Sequence, residues 1–190
     1  MNWLTRQASD ALASLRDPAA HFRYGLVLAV LIAVADRLSK WAVLYWVDLP
    51  ARQKITITPF FDLTMVWNPG ISYGLLPANS TWSIAVLVAF ALVVTAALTV
   101  WLARIENRLL AAGVAMVIGG AVGNAYDRVV YGAVADFVSL HAFGFYWYVF
   151  NVADVAIVVG VVLLIWDAVF GPEAREERAR RQSPGTDNDQ

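Results

Sequence analysis

The 190-residue chain is 59% hydrophobic and only 15% charged, with a mean hydropathy of +0.58, which is too apolar for a soluble domain of this length. The formal net charge of −1 offers no basic surface, so no nucleic-acid partner is expected. The lack of cysteine excludes a disulfide framework and a thiolate nucleophile, and with only two histidines we expect no metal site. The composition predicts an integral membrane protein.

Four stretches are long and apolar enough to span a membrane, since a hydrocarbon core of about 30 Å needs about 20 residues. They cover residues of about 22–46, 81–103, 109–127 and 146–170. The first is interrupted by DRLSK, the second has no charge, and the fourth contains Asp154. The pattern predicts an all-α membrane protein with four transmembrane helices, forming a single domain over residues 1–170.

The segments outside the spans differ in character. Residues 3–16 place apolar side chains on one helical face, which fits either a helix lying on the membrane surface or a solvated extension. The loop of about 47–77 contains KITITPFFDLTMVW, whose alternation predicts two strands and therefore a small extracytoplasmic β-sheet between helices 1 and 2. Residues 171–190 lack apolar periodicity and predict a disordered cytoplasmic tail.

Lysine and arginine near the span ends predict the orientation, because these residues concentrate on the cytoplasmic side. Nine lie at the N-terminus, in the loop between the second and third spans and in the tail, whereas five lie on the other side. We therefore expect both termini in the cytoplasm. With 23 largely polar residues before the first apolar run, no cleavable signal peptide is predicted.

This topology collects the unusual polar residues at the outer side of the membrane. Charges at membrane depth are costly, so they are candidates for function. The residues concerned are Asp36, Arg37, Lys40, Asn68, Asn124, Asp127, Arg128, Asp136, Asn151 and Asp154.

The aspartates in this group differ in their neighbours. Lys40 follows Asp36 at i+4, which predicts a local acid–base pair. Asp127 stands beside Arg128 at a helix end, so a capping or ion-paired role is as reasonable as a catalytic one. Neither Asp136, placed in an outer loop, nor Asp154 has a basic residue at i±3 or i±4.

Two aspartates without cationic partners at a low-dielectric boundary do not both ionise easily, so one pKa rises and the pair shares a proton. Such a pair is suited to peptide hydrolysis, with one carboxylate activating water and the other carboxyl polarising the scissile carbonyl. Asn151 lies on the same helical face as Asp154 and can orient its carboxyl. From the residues alone, both the Asp136–Asp154 and the Asp127–Asp154 pairings fit.

Other catalytic constellations fit less well. Ser39 and Lys40 are adjacent on a helix, so their side chains diverge by about 100°, and Ser72 reaches Lys40 only through a particular fold. His141, in a predicted loop, is interpreted as an exposed or capping residue rather than a general base.

With these motifs the chain resembles the lipoprotein signal peptidases, the signal peptidase II family of bacterial membrane aspartyl proteases. The matching stretches are DRLSK at 36–40, WNPGISYG at 67–74, GGAVGNAYDRVVYGAVADF at 119–137 and FNVADVAIVVG at 150–160. The second stretch departs from the family, because Ile71 and Ser72, followed by Tyr73, stand where a pair of small alanines is frequent; Asn68 and Gly70 are retained.

The resemblance implies a catalytic dyad of Asp136 and Asp154. It implies supporting roles for Asn68, Gly70, Asn124, Arg128 and Asn151, with Asp36, Lys40 and Asp127 shaping the surroundings of the dyad. The implied reaction removes the signal peptide of a prolipoprotein just before its lipid-modified cysteine, without a cofactor, in the bacterial inner membrane. Membrane lipid and globomycin-type inhibitors are implied ligands, and we expect a monomer.

A non-enzymatic proton- or cation-handling membrane subunit is the alternative interpretation, in which Asp36, Asp127 and Asp154 line a translocation path. Such a path requires acids at several depths. The inner halves of the predicted spans lack charge until Asp167, which favours a one-sided site.

Overall fold

The structure, a computed structural model, describes residues 18–70 and 81–171. The segment at 3–16, the end of the outer loop including Ser72, and the tail from residue 172 lie outside these ranges. The described elements are α1 (Pro18–Trp41), which continues as a π-helical segment (Ala42–Trp46), then α2 (Leu49–Arg52), β1 (Lys54–Thr58), β2 (Phe61–Asn68), α3 (Thr81–Leu102), α4 (Arg108–Tyr131), β3 (Val134–Ala142), β4 (Phe145–Tyr146) and α5 (Val152–Phe170).

Among the described residues, the helices α3, α4 and α5 are long and apolar enough to cross a membrane. Large apolar side chains such as Phe90 on α3 and Val162 and Ile165 on α5 are exposed. Water would not tolerate so much contiguous apolar surface, whereas lipid requires no cover for it. The chain is therefore a membrane protein, and α1 accompanies the three apolar helices as a long helix that carries Asp36 and Lys40 in its last turns.

Two observed helix ends differ from the predicted ones, because capping residues fix where these helices end or begin. α4 ends at Tyr131 rather than at the predicted residue 127. Gly132 caps it, with φ 75° and an N–H that donates to the Arg128 carbonyl. α5 starts at Val152 rather than near 146, because Asn151 caps it and Phe145–Tyr146 form a strand. Both shifts bring polar residues of the predicted site to helix ends.

Helix α4 lies at the centre of the bundle and contacts its neighbours through glycines. A Cβ on Gly120 would come within 2.4 Å of the Ala153 carbonyl oxygen of α5, and one on Gly123 within 2.6 Å of Asp36 Oδ2 of α1. These distances are too short for any side chain, so glycine is required for the close approach of the three helices. The same contacts bring the start of α5 and the end of α1 together.

We expect Gly120→Ala to lower the free energy of unfolding by about 1–3 kcal/mol, the usual range for overpacking a tightly packed interior. The added methyl must displace the α5 backbone at Ala153, one residue before Asp154. Thermal unfolding in detergent measures the effect. Val122→Ala, at an exposed position of the same helix, is the control and should change stability little; an equal loss in both variants would contradict the close-approach argument.

The sheet has four antiparallel strands in the order β1-β2-β3-β4, and the two strands predicted from the alternating loop, β1 and β2, are present. The predicted sheet between helices 1 and 2 is larger than expected, because β3 and β4 join it from the segment after α4. Asp136 accordingly lies in a strand and not in a loop. Residues 134–137 are buried on both faces of the sheet, so this part of the strand lacks the alternation of apolar and polar residues that marks a half-exposed strand.

The sheet packs against the helix ends through an apolar core. Its fully or almost fully buried members are Val43, Leu44, Leu49, Met65, Ala135 and Phe137. The π-helical continuation of α1 thus supports the sheet, and β3 carries Asp136 to the ends of the helices.

Candidate active site

Asp136 projects from β3 and is 2% exposed. Asn151 Nδ2 donates to Asp136 Oδ1 at 2.6 Å, and Asn68 Nδ2 donates to Asp136 Oδ2 at 3.1 Å. Asp136 pairs with Val66 of β2 where the strand register shifts, an irregularity that often redirects side chains next to active sites. Both oxygens of this carboxyl are therefore held by neutral amides.

Asp154 stands in the first turn of α5 and forms a reciprocal cap with Asn151. The Asp154 backbone N–H donates to Asn151 Oδ1 at 3.0 Å, and the Asn151 N–H donates to Asp154 Oδ2 at 3.2 Å. This capping box satisfies two helix-end N–H groups and orients both side chains. Asn151, which is fully buried, consequently touches both Asp136 and Asp154.

Asn124 of α4 links Asp154 to the end of α1. Its Oδ1 accepts hydrogen bonds from Lys40 Nζ and from Asn151 Nδ2, both at 3.2 Å, while its Nδ2 donates to Asp154 Oδ1 at 2.8 Å. Because the Asn124 oxygen must face the donors of Lys40 and Asn151, the Asn124 amide has only one orientation. Asp154 thus also receives hydrogen bonds from neutral groups.

Next to this pair lies a buried ionic cluster of Asp36, Arg37, Lys40 and Asp127. Lys40 Nζ is 2.9 Å from Asp36 Oδ2 and 2.7 Å from Asp127 Oδ2, and these three side chains are completely buried. Arg37 forms a salt bridge with the other oxygen of Asp127. Two acids and two bases balance, so the cluster adds no net charge to the site.

Arg128 faces the segment after β2. Its Nη2 donates to the Gly70 carbonyl at 2.6 Å and its Nη1 to the Asn124 carbonyl at 3.3 Å. The Gly70 N–H donates in turn to Asn68 Oδ1 at 3.1 Å, which orients the Asn68 amide toward Asp136. Arg128 therefore ties the strand carrying Asn68 to the helix carrying Asn124.

Burial, followed by the charge of Asp154, raises the pKa of Asp136 to about 7, although the amides of Asn151 and Asn68 act in the opposite direction. Within the described residues, neither Asp136 nor Asp154 forms a salt bridge. A buried carboxyl that titrates near neutral pH beside a second carboxyl has the properties needed for general acid–base catalysis.

The structure brings together all ten residues predicted for the site, and it separates Asp127 from the dyad. Asp127 is ion-paired, as one of the two interpretations held, but its partners are Lys40 and Arg37 of α1 and not the adjacent Arg128. The local Asp36–Lys40 pair is confirmed. Two features were not predicted from the sequence, although their residues lie in the quoted motifs. Arg37 forms a salt bridge with Asp127, and Gly123 leaves the space that the Asp36 side chain occupies.

The other constellations find no support among the described residues. Lys40 forms salt bridges with Asp36 and Asp127 and a hydrogen bond with Asn124, so this lysine is not free to act as a base for a serine. His141 was expected to be exposed or capping; its side chain is 18% exposed, lies in β3, and has Nε2 2.9 Å from Asp62 Oδ2. In the described ranges, no group of three or more His, Cys, Asp or Glu residues is placed to hold a metal ion.

The family model described as Signal peptidase (SPase) II matches residues 28–170. A lipoprotein signal peptidase from Methylobacterium sp. (strain 4-46) is 48% identical over 157 residues, which is 83% of this chain and 94% of that protein. One from Beijerinckia indica subsp. indica is 47% identical over 150 residues, 79% of this chain and 90% of that protein.

Two solved structures, both described as bacterial membrane enzymes, share the fold. Their TM-scores are 0.67 and 0.66, at 21% and 24% sequence identity, and the matches cover 86% and 77% of this chain and 94% and 93% of those chains. The region matched by the family contains every residue of the site described above. The chain therefore belongs to the signal peptidase II family.

Proposed function

We propose that the protein is an aspartic endopeptidase that removes the signal peptide from lipid-modified prolipoproteins, cutting before the diacylglyceryl-cysteine, with Asp136 and Asp154 as its catalytic residues. The observation that carries the proposal is the bridging of the two carboxyls by Asn151, with neutral hydrogen-bond donors on both. Membership of a signal peptidase family supports it.

In the proposed mechanism Asp136 holds the proton, because burial and the Asp154 charge raise its pKa to about 7. Asp154 accepts a proton from water, and the resulting hydroxide attacks the scissile carbonyl. Asp136 donates a hydrogen bond, then its proton, to the developing oxyanion. The two carboxyls exchange roles when the tetrahedral intermediate collapses and the leaving amine takes up a proton. This route requires no metal and no covalent intermediate.

We infer that residues 1–170 form one membrane domain with four spans. These are the three apolar helices α3, α4 and α5 together with α1, which comes first in the chain. The charges of α1 are compatible with this, since Asp36 and Lys40 are fully buried and neutralise each other inside the protein. Counting lysines and arginines then places both termini in the cytoplasm and the sheet and site at the outer face of the inner membrane.

The function is tested by incubating the purified protein, in detergent and in liposomes, with a lipid-modified prolipoprotein and with the same precursor lacking the lipid. We expect cleavage of the lipid-modified form, inhibited by globomycin, and a cysteine at the new N-terminus. Failure to cleave under conditions in which a homologous signal peptidase II is active would overturn the proposal. A proton- or cation-handling subunit would instead give ion flux in the liposomes, which we do not expect.

We expect kcat/KM for this cleavage to fall as the pH rises through about 7. The pKa of Asp136 lies near that value in the fold, and only the protonated carboxyl can act as the acid. Initial rates at low substrate concentration, with folding checked at each pH, measure the profile. A profile that stays flat from about pH 6 to 9 would contradict the assignment of the proton to Asp136.

A further inference from the structure

The residue just before each proposed catalytic aspartate donates its backbone N–H to a buried carboxylate. Ala135 N donates to Asp127 Oδ2 at 3.2 Å, and Ala153 N donates to Asp36 Oδ1 at 3.0 Å. Both alanines are completely buried. The strand that carries Asp136 and the helix that carries Asp154 are thus held by the same type of contact.

Lys40 joins the two carboxylates. Its ammonium lies 2.7 Å from Asp127 Oδ2, the atom that also holds Ala135, and 2.9 Å from Asp36 Oδ2, whose partner oxygen holds Ala153. The Lys40 ammonium also donates to Asn124 Oδ1, and Asn124 donates to Asp154. One side chain thus connects both aspartate-bearing segments through buried salt bridges and hydrogen bonds.

We propose that Asp36, Lys40 and Asp127 form a clamp that sets the separation of the Asp136 and Asp154 carboxyls. The inference rests on the proposed function. It assigns these three residues the role of positioning the catalytic carboxyls, beyond that of a cluster of ion pairs that only stabilises the fold. A generic cluster would need only charge balance, which Arg37 already completes. The backbone contacts at Ala135 and Ala153 add a geometric constraint, and a displacement of about 1 Å near reacting groups costs about 100-fold in rate.

The clamp is tested with two double variants that make the same change in charge. Asp36→Leu/Lys40→Leu removes the acceptor for the Ala153 N–H, whereas Asp36→Asn/Lys40→Leu keeps an amide oxygen there. We expect kcat to fall about 100-fold in the first and about 10-fold in the second, with little change in KM, because the loss concerns alignment and not substrate binding. Equal losses in both would overturn the clamp.

A second readout is independent of cleavage. The infrared band of a protonated carboxyl that is lost in Asp136→Asn reports the titration of Asp136, which we expect near pH 7 in the wild type. Both double variants lack Lys40, whose charge lowers the pKa of Asp136, so their midpoints are compared with each other. The midpoint should be lower by about one pH unit or more in Asp36→Leu/Lys40→Leu, because Asp154 moves away and water enters. If the wild type cleaves no prolipoprotein, the proposed function is wrong. The titration midpoint does not depend on cleavage and still tests the clamp.

The ion pair between Lys54 and Asp62 in the sheet provides the matched control, since Nζ and Oδ2 are 2.7 Å apart and neither residue contacts Ala135 or Ala153. Lys54→Leu/Asp62→Asn should lower the melting temperature without moving the midpoint or kcat. Should Asp36→Leu/Lys40→Leu not fold, Asp36→Asn/Lys40→Leu decides alone. A kcat about 10-fold below the wild type at an unchanged KM supports the clamp, and a wild-type kcat overturns it.

Discussion

Asp136→Asn and Asp154→Asn are each expected to lower kcat/KM for prolipoprotein cleavage by at least about 10³-fold, within the range attributed to general acid–base groups. Asparagine keeps the shape of the side chain and one of its two oxygen acceptors, so one of the hydrogen bonds from Asn151 and Asn68 to position 136 can persist. The proton and the charge are lost, and neither water activation nor carbonyl polarisation can proceed. The loss should be in kcat.

The stability of Asp136→Asn relative to the wild type is expected to increase as the pH rises to about 7. The pKa of Asp136 is raised in the folded state, so its contribution is fully present below the unfolded pKa and is lost as the pH rises through about 7. Asparagine stays neutral and avoids this loss. Thermal melts of both proteins across the pH range measure the difference, and a variant that melts early would assign the inactivity to misfolding.

Two further variants separate the dyad from its neighbours. Asp127→Asn should retain part of the activity, because Asp127 supports the Ala135 backbone and does not contact Asp136 or Asp154 by any hydrogen bond described above. Asp62→Asn, a buried aspartate elsewhere on the sheet, should retain nearly all of it. Normal turnover by a well-folded Asp136→Asn or Asp154→Asn protein would eliminate the dyad.

Lys40→Met is expected to lower the free energy of unfolding by about 3–5 kcal/mol, the typical cost of removing one partner of a buried ion pair. The substitution leaves Asp36 without a cation and Asp127 with Arg37 alone, in a completely buried environment. Lys40 also contributes a hydrogen bond to Asn124, which is lost. Methionine has a similar length, so packing changes little.

Equilibrium unfolding in mixed detergent measures this effect. Adding Asp36→Asn to Lys40→Met should recover part of the stability, since the uncompensated carboxylate is removed. Lys54→Met is the control. This lysine is half-exposed, and its buried partner Asp62 keeps His141 Nε2 at 2.9 Å, so the effect should be smaller. A Lys40→Met protein as stable as the control would show that the cluster is not under the electrostatic constraint inferred from its burial.

Local sequence patterns predicted the features that depend on near neighbours in the chain. Apolar length located α3, α4 and the body of α5, and alternation located β1 and β2. The i,i+4 spacing predicted the Asp36–Lys40 pair. Each of these follows from helix or strand periodicity within a few residues, so no knowledge of packing is needed.

Strand β3 and the partners of Asp127 were not predictable in this way. Burial on both faces removes the alternation that marks a strand, so the segment around Asp136 resembled a loop after a span. Arg37 reaches Asp127 across 90 residues of sequence, a contact that requires α1 and α4 to pack closely through Gly119 and Gly123. The adjacent Arg128 is directed elsewhere, toward Gly70.

The sequence by itself determined that this is a membrane protein with most of its unusual polar residues at one end of its helices. The resemblance of its motifs to the signal peptidase II family indicated which two aspartates to pair. Only the tertiary structure decided how that pairing is built. Asn151 bridges the two carboxyls, Asn124 orients one of them, and Asp36 reaches Ala153 across 117 residues. Side chains so far apart in sequence meet because glycine contacts between helices bring their ends together, and a local pattern carries no information about that geometry.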